Sequence, residues 1–168
     1  IDIPGFIAKI KEKDYNGAAS IIKQQSILPA VCGRVCPQEE LCERACILSK
    51  KGSPIAIGRL ERFAADYQFK KDMLEIPQIQ TSTGKRIAIV GSGPSGITAA
   101  STLAQLGYKV TLFEALHKQG GVLIYGIPEF RLPKQIVQKE IETLKYMQVE
   151  VKLNSLIGRL YTIDELFK

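Results

Sequence analysis

Long apolar runs are missing from this sequence. No stretch approaches the roughly 18 to 20 consecutive apolar residues needed to cross a bilayer. The opening residues also lack the basic, apolar and small-residue regions of a secretory signal, so a cytoplasmic protein without membrane contact is the expectation. A second histidine is missing as well, and His117 alone has nothing to build a metal site with; it reads as a loop or surface residue. There are no internal repeats and no low-complexity tracts, which excludes a repeat array. Nor does any acid-base pair or nucleophile set stand out, so no catalytic residue is expected here.

What is present is ordinary globular material. A hydrophobic content of 45% with 24% charged residues excludes disordered and collagen-like chains, and 168 residues suffice for one domain or two small ones. The formal charge of +6 first suggests nucleic acid, but its 23 basic residues are spread among 17 acidic ones. Nucleic acid is therefore not the expected partner. An acidic protein partner or cofactor phosphates suit that charge equally well. Both ends read as internal. Ile1 stands where a methionine is usual, Asp2 and Pro4 already start a helix, and Thr162 with Glu165 forms a capping-box pattern only a few residues before Lys168. A fragment of a longer chain is the expectation.

Apolar residues recur at helical spacing from Ile3 to about Ile10 and from about Gly17 to Gln25. A cysteine segment runs from Leu28 to Ile47, Gly52-Ser53-Pro54 breaks the chain, and a further helix is expected from Ile57 to Phe69. Residues 1–76 thus read as a helical, cysteine-bearing lobe and 77–84 as a polar linker. Residues 85–168 read differently. Arg86 to Val90 is a continuous apolar run, expected to be a parallel strand buried on both faces. A helix from Ser95 to Leu106 stopped by Gly107, then a strand from Val110 to Glu114, complete a βαβ unit. A helix from Pro133 to about Gln148 and a strand from Val149 to Leu153 follow. The fold class expected is a helical lobe plus part of an α/β Rossmann-like domain.

Between the first strand and its helix, Gly91-Ser92-Gly93-Pro94-Ser95-Gly96 satisfies G-x-G-x-x-G in the context the motif requires. Gly91 permits a tight turn, Gly93 admits a pyrophosphate to the backbone, and Gly96 lets the helix approach the strand. Phosphates would then rest on N–H groups at the helix N-terminus. Glu114, 23 residues after Gly91, is placed to accept hydrogen bonds from an adenosine ribose, which disfavours NADP here and leaves FAD or NAD. The glycine-rich stretch Gly120 to Pro128 could bring backbone close to a flat ring, with Tyr125 stacking on it, or could be a plain loop.

All four cysteines lie in one window, Cys32, Cys36, Cys42 and Cys46. Each close pair is four apart, so on helical turns its members would face the same way. Thiols clustered like this in a cytoplasmic chain suggest metal over disulfides. Zinc, iron-sulfur and four reduced core thiols all stay open, with the neighbouring dinucleotide fingerprint favouring iron-sulfur.

Leu28-Pro29-Ala30-Val31-Cys32-Gly33-Arg34-Val35-Cys36-Pro37-Gln38-Glu39, Cys42-Glu43-Arg44-Ala45-Cys46, the glycine fingerprint and the run from Gly120 to Lys134 together resemble the N-terminal region of the glutamate synthase small (beta) subunit family. The same module occurs in dihydropyrimidine dehydrogenase and in NADPH:ferredoxin oxidoreductase subunits. The resemblance covers essentially the whole chain. It implies electron transfer between NAD(P)H, FAD and two 4Fe-4S clusters, serving a large glutamate synthase subunit or another electron-accepting subunit. It assigns Cys36, Cys42, Cys46 and Glu61 to cluster ligation, with no settled role for Cys32. It assigns Gly91, Gly93, Pro94, Ser95, Gly96, Glu114, Gly121, Leu123, Tyr125, Gly126, Ile127 and Arg131 to FAD. It also implies a further cysteine group before Ile1 and an NADPH- or NADH-binding domain after Lys168. Two clusters need about eight ligands, so this stretch alone should hold no intact pair, and should hold flavin weakly or not at all. The competing expectations are a docking module for an electron-accepting subunit and a zinc-stabilised NAD dehydrogenase.

Overall fold

Short helices need help at their ends, and the first two have it. The Asp2 carboxylate accepts the Gly5 N–H at 3.0 Å and opens α1 (Ile3–Lys11); Asp14 does the same with Gly17 at 2.9 Å for α2 (Tyr15–Lys23). The Asp14 cap starts α2 two residues earlier than apolar spacing suggested. The computed structural model describes residues 1–73 and 76–167. Residues 74 and 75, near the expected end of the helical lobe, and the final residue 168 lie outside the described residues. The chain divides into two compact units, Ile1–Glu75 and Ile76–Lys168.

In the first unit α3 (Pro29–Val35) and α4 (Ile57–Lys71) follow, with single 3₁₀ turns at Gln38–Glu40 and Ile47–Lys50 between them. The apolar faces of α1, α2 and α4 meet in a core of Phe6, Ala18, Ala19, Ile22, Ile57 and Ala64. Burying side chains the size of Phe6 or Ile22 contributes roughly 1.5 to 3 kcal/mol each. Glycines let α3 and α4 pack closely. A Cβ on Gly33 would stand 2.7 Å from the Arg62 nitrogen, and one on Gly58 only 1.9 Å from the Gln38 side chain. Across the same contact the Arg34 guanidinium grips Asp66 with two bonds of 2.8 and 2.9 Å.

The second unit carries a three-stranded parallel sheet in the order β1 (Arg86–Val90), β2 (Lys109–Phe113), β3 (Glu150–Lys152). Its helices are α5 (Pro94–Gln105), the single turn α6 (Val122–Tyr125), α7 (Lys134–Tyr146) and α8 (Ile163–Leu166). Ile97, Ala100 and Ala104 of α5 and Val137, Ile141 and Leu144 of α7 are buried, as are Val110 and Leu112 of β2. The expectation that β1 is buried on both faces is corrected. Arg86, Ala88 and Val90 are exposed, Val90 at 61%, because β1 is an edge strand and the sheet face it shares with Lys109 and Thr111 is largely open. A continuous apolar run marks a strand, but covering each face takes a second layer. Gly107 ends α5 at φ +82°, and the chain on either side of it holds the polar stretch before β1. Gln80 N–H bonds Gln105 O, Thr83 N–H bonds Gly107 O, and Lys109 N–H bonds Lys85 O. The capping box of Thr162 and Glu165 opens α8 with both of its reciprocal bonds.

Candidate functional site

The turn after β1 is shaped by what its glycines lack. Gly91 sits at φ +96°, which excludes ordinary side chains, and its N–H bonds Phe113 O at 2.7 Å to hold β1 against β2. A Cβ on Gly96 would fall 1.9 Å from Gly91 O, so the first turn of α5 lies directly on the loop. Gly93, the N-cap, has nothing within 4 Å of where a Cβ would stand, and neither has Gly91. Pro94 has no N–H to satisfy, and the Ser95 and Gly96 amides fall in the helix's first turn, where intrahelical acceptors do not exist. An open cradle, bare amides and the positive pole of a twelve-residue helix are what a diphosphate needs. The residues present fit that group.

Glu114 follows β2 and is buried at 6% exposure. Its Oε2 accepts the Ser92 N–H at 2.9 Å and the Ser92 hydroxyl, and its Oε1 accepts the Leu116 N–H at 2.9 Å. Burial alone would push this carboxyl up. The Ser92 hydroxyl and the amides of Leu116, Ser92 and Ala115 outweigh it and hold the group below the usual glutamate range. Each carboxylate oxygen has more than one lone pair, so capacity for a sugar hydroxyl remains. Ser92 is itself fully buried, and its Oγ also accepts the Gly120 N–H at 3.0 Å. Sequence reasoning passed over Ser92, which occupies a free position of the motif. Its role becomes visible only when β1 and β2 pair and bring Glu114 beside it.

The segment after Glu114 lies against this turn. Gly120 at φ +123° and Gly121 at φ +52° let the chain fold onto Gly93, whose Cα would be 2.8 Å from a Cβ at Gly121. The stretch expected as either a ring-approaching backbone or a loop contains the helical turn α6. Leu123 is buried, Ile127 half-buried, and Gly126 and Arg131 exposed. Tyr125, 45% exposed, accepts the Lys118 N–H at 3.1 Å and meets the exposed His117 ring edge-on at 5.7 Å.

In the first unit none of the four cysteines is in a disulfide, and all are half-buried. Neither pair fits the helical reading. Cys32 is on α3, while Cys36 is already extended (φ −64°, ψ 135°) because Pro37 follows it, Cys42 lies in a turn, and Cys46 is extended just before the second 3₁₀ turn. Burial pushes the Cys36 thiol up, and the charges of Glu61 and Glu39 push it further. Burial raises Cys42 too; its own and the Glu43 amide oppose that, while Glu43 and Cys36 add to it. Cys36 thus feels the Glu61 charge, and Cys42 feels Cys36. Cys46 differs: the amides of Ile55 and Leu48, opposed by burial and joined by Ser49, draw it down. Glu61 on α4 is buried at 7% exposure, its Oε1 has no hydrogen-bond partner, and burial pushes its carboxyl up to about 7, opposed weakly by the chain's amino terminus. An orphaned buried carboxyl oxygen whose charge reaches the Cys36 thiol fits a cationic or iron-sulfur group in its chemistry. Among the described residues no three such side chains are gathered closely enough to hold a metal ion.

Residues 1–73 match the family described as dihydropyrimidine dehydrogenase domain II, 4Fe-4S cluster, and residues 89–131 match the NAD(P)-binding Rossmann-like domain. The chain is 42% identical, over 97% of its length, to the NAD-dependent dihydropyrimidine dehydrogenase subunit PreT of Escherichia coli K12, and covers 40% of that protein. It is 39% identical to the NADP(+)-dependent formate dehydrogenase subunit beta of Moorella thermoacetica, over 99% of the chain and 26% of the relative. It is 38% identical to the NADPH glutamate synthase small chain of Escherichia coli K12, over 98% of the chain and 35% of the relative. The chain spans less than half the length of each of these relatives. Residues 1–73 are thus similar to the 4Fe-4S domain of dihydropyrimidine dehydrogenase, residues 89–131 to NAD(P)-binding Rossmann-like domains, and nearly the whole chain to part of the glutamate synthase small chain.

Proposed function

We propose that this chain is part of an NAD(P)H-dependent flavin and iron-sulfur oxidoreductase of the glutamate synthase small-subunit type, which passes electrons to a partner subunit in the cytoplasm. The observation that carries the reading is the open Gly93 turn, with its bare amides set beside the Ser92–Glu114 pair. Gly91, Gly93, Pro94, Ser95 and Gly96 would hold the FAD diphosphate, and Glu114 its ribose. The segment with Gly121, Leu123, Tyr125, Gly126, Ile127 and Arg131 would border the cofactor beyond the turn. Cys36, Cys42 and Glu61 would supply donors to one iron-sulfur centre and Cys46 to another. When bound, the flavin accepts a hydride and the iron-sulfur centres carry its electrons singly. This chain's own residues bind, orient and shield; none of them forms or breaks a substrate bond.

The similarity of residues 1–73 to a 4Fe-4S domain, next to a dinucleotide fingerprint, favours this reading over a zinc-stabilised dehydrogenase, because a flavin needs one-electron acceptors to divide a hydride's electron pair. The test is the visible spectrum and metal content of the anaerobically purified protein, with the longer relative as reference. A flavin band on a broad iron-sulfur shoulder in the longer reference, with little retained flavin and fewer than the roughly eight irons of two full clusters in this chain, is the expected result. Zinc at one per chain without iron or flavin would overturn it.

A further inference from the structure

Lys134 is a cation at the wrong end of its own helix. It opens α7 directly after Pro133, where the positive pole disfavours an ammonium. Its backbone N–H is turned to the Glu129 carboxylate, 3.2 Å from each oxygen, which compensates that pole. The side chain instead runs back to the end of α6. There Nζ donates to Leu123 O at 2.9 Å and to Ile127 O. The closing carbonyls of a helix lack intrahelical donors, so the ammonium satisfies groups that α6 itself cannot.

The same segment is held at its other end. Gly120 N–H is shared between Ser92 O and Ser92 Oγ, both at 3.0 Å, and Gly121 rests on Gly93. Between the two anchors lies a helix of four residues, far too short to be stable alone. Its order must come from contacts outside it, and a half-buried ammonium bonded to two carbonyls is a strong contact of this kind.

We infer that Lys134 is a positioning residue for the nucleotide cofactor. It holds the Gly120–Ile127 segment as a fixed wall beside the Gly93 turn, without itself belonging to the phosphate cradle. The inference rests on the flavin reading given above, because it takes FAD as the molecule for which the wall is preorganised. A wall ordered in advance raises affinity by removing the entropy cost of ordering it on binding.

The experiment compares the chain with its Lys134→Met and Lys134→Arg variants by amide hydrogen exchange without cofactor, and then by titration with FAD. In Lys134→Met the Tyr125, Gly126 and Ile127 amides should exchange about tenfold faster or more, the scale set by losing charge-assisted hydrogen bonds. The β1 and β2 amides and the thermal midpoint should stay unchanged. FAD affinity should fall by about tenfold, and Lys134→Arg, which also donates to carbonyls, should restore most of both effects. Unchanged exchange in residues 123–127 would overturn the assignment of Lys134, whatever FAD does. Faster exchange with no response to FAD even in the protein extended to its relatives' length would uphold the brace and overturn the flavin reading. Faster exchange with unaltered FAD affinity would refute the link between brace and cofactor.

Discussion

Gly93 and Gly96 are three residues apart and small for opposite reasons. At Gly96 the missing side chain is filled by backbone, so Gly96→Ala should destabilise the second unit by about 1 to 3 kcal/mol, measured by denaturant unfolding. At Gly93 the missing side chain is left as open space. Glu114 gives a second expectation. Its folded-state carboxyl is held below the ordinary value of 4.5, so its contribution to stability is complete above that value and is lost as pH falls through the lower folded value. Glu114→Gln should therefore flatten the acid limb of the second unit's unfolding below about pH 4.5 and leave its shape near neutrality unchanged; an identical acid limb in both proteins would contradict the Ser92–Glu114 account. The turn at Gly91 and the close approach at Gly96 were legible in the sequence, because G-x-G-x-x-G between a strand and a helix dictates backbone geometry. Ser92 was not, since its importance depends on a partner 22 residues away brought near by strand pairing.

The elements were legible where periodicity is strong and obscure where it is weak. α1, α4, α5, α7 and β1 lie close to where apolar spacing put them, and the capping box at Thr162 opens α8 as expected. The cysteine segment is the instructive failure. A spacing of four suggests helix only if the chain stays helical, and Pro37 ends α3 at the extended Cys36. α6 was equally hidden, for four residues between glycines carry no helical period. What holds the cysteine segment is the close approach of α3 to α4. Gly33→Ala would drive a methyl into the Arg62 backbone, so the helices should separate and the first unit should lose about 1 to 3 kcal/mol. Cys36 should then react faster with a thiol reagent, while the unfolding of β1 and β2 stays as it was. Unaltered Cys36 reactivity would contradict the view that this contact sets the thiol's surroundings.

At the scale of the molecule, two compact units divide the chemistry: thiols and a buried carboxylate in one, an open glycine turn at a helix N-terminus in the other. Composition foresaw a globular chain, and among the described residues no helix is long and apolar enough to cross a membrane. The open face of the three-stranded sheet was not foreseen, because strand type is written in side chains while layer coverage depends on what else packs there. The account as a whole turns on the loop after β1 receiving a diphosphate. The most direct test follows the backbone amides of Gly93, Ser95 and Gly96 by NMR as FAD is added to the chain and to its Gly93→Val variant, a method that registers even weak binding. The account predicts saturable shifts at these amides in the unaltered chain and their loss in Gly93→Val, with the variant's other resonances preserved. No shift at millimolar FAD, or equal shifts in both proteins, would contradict it.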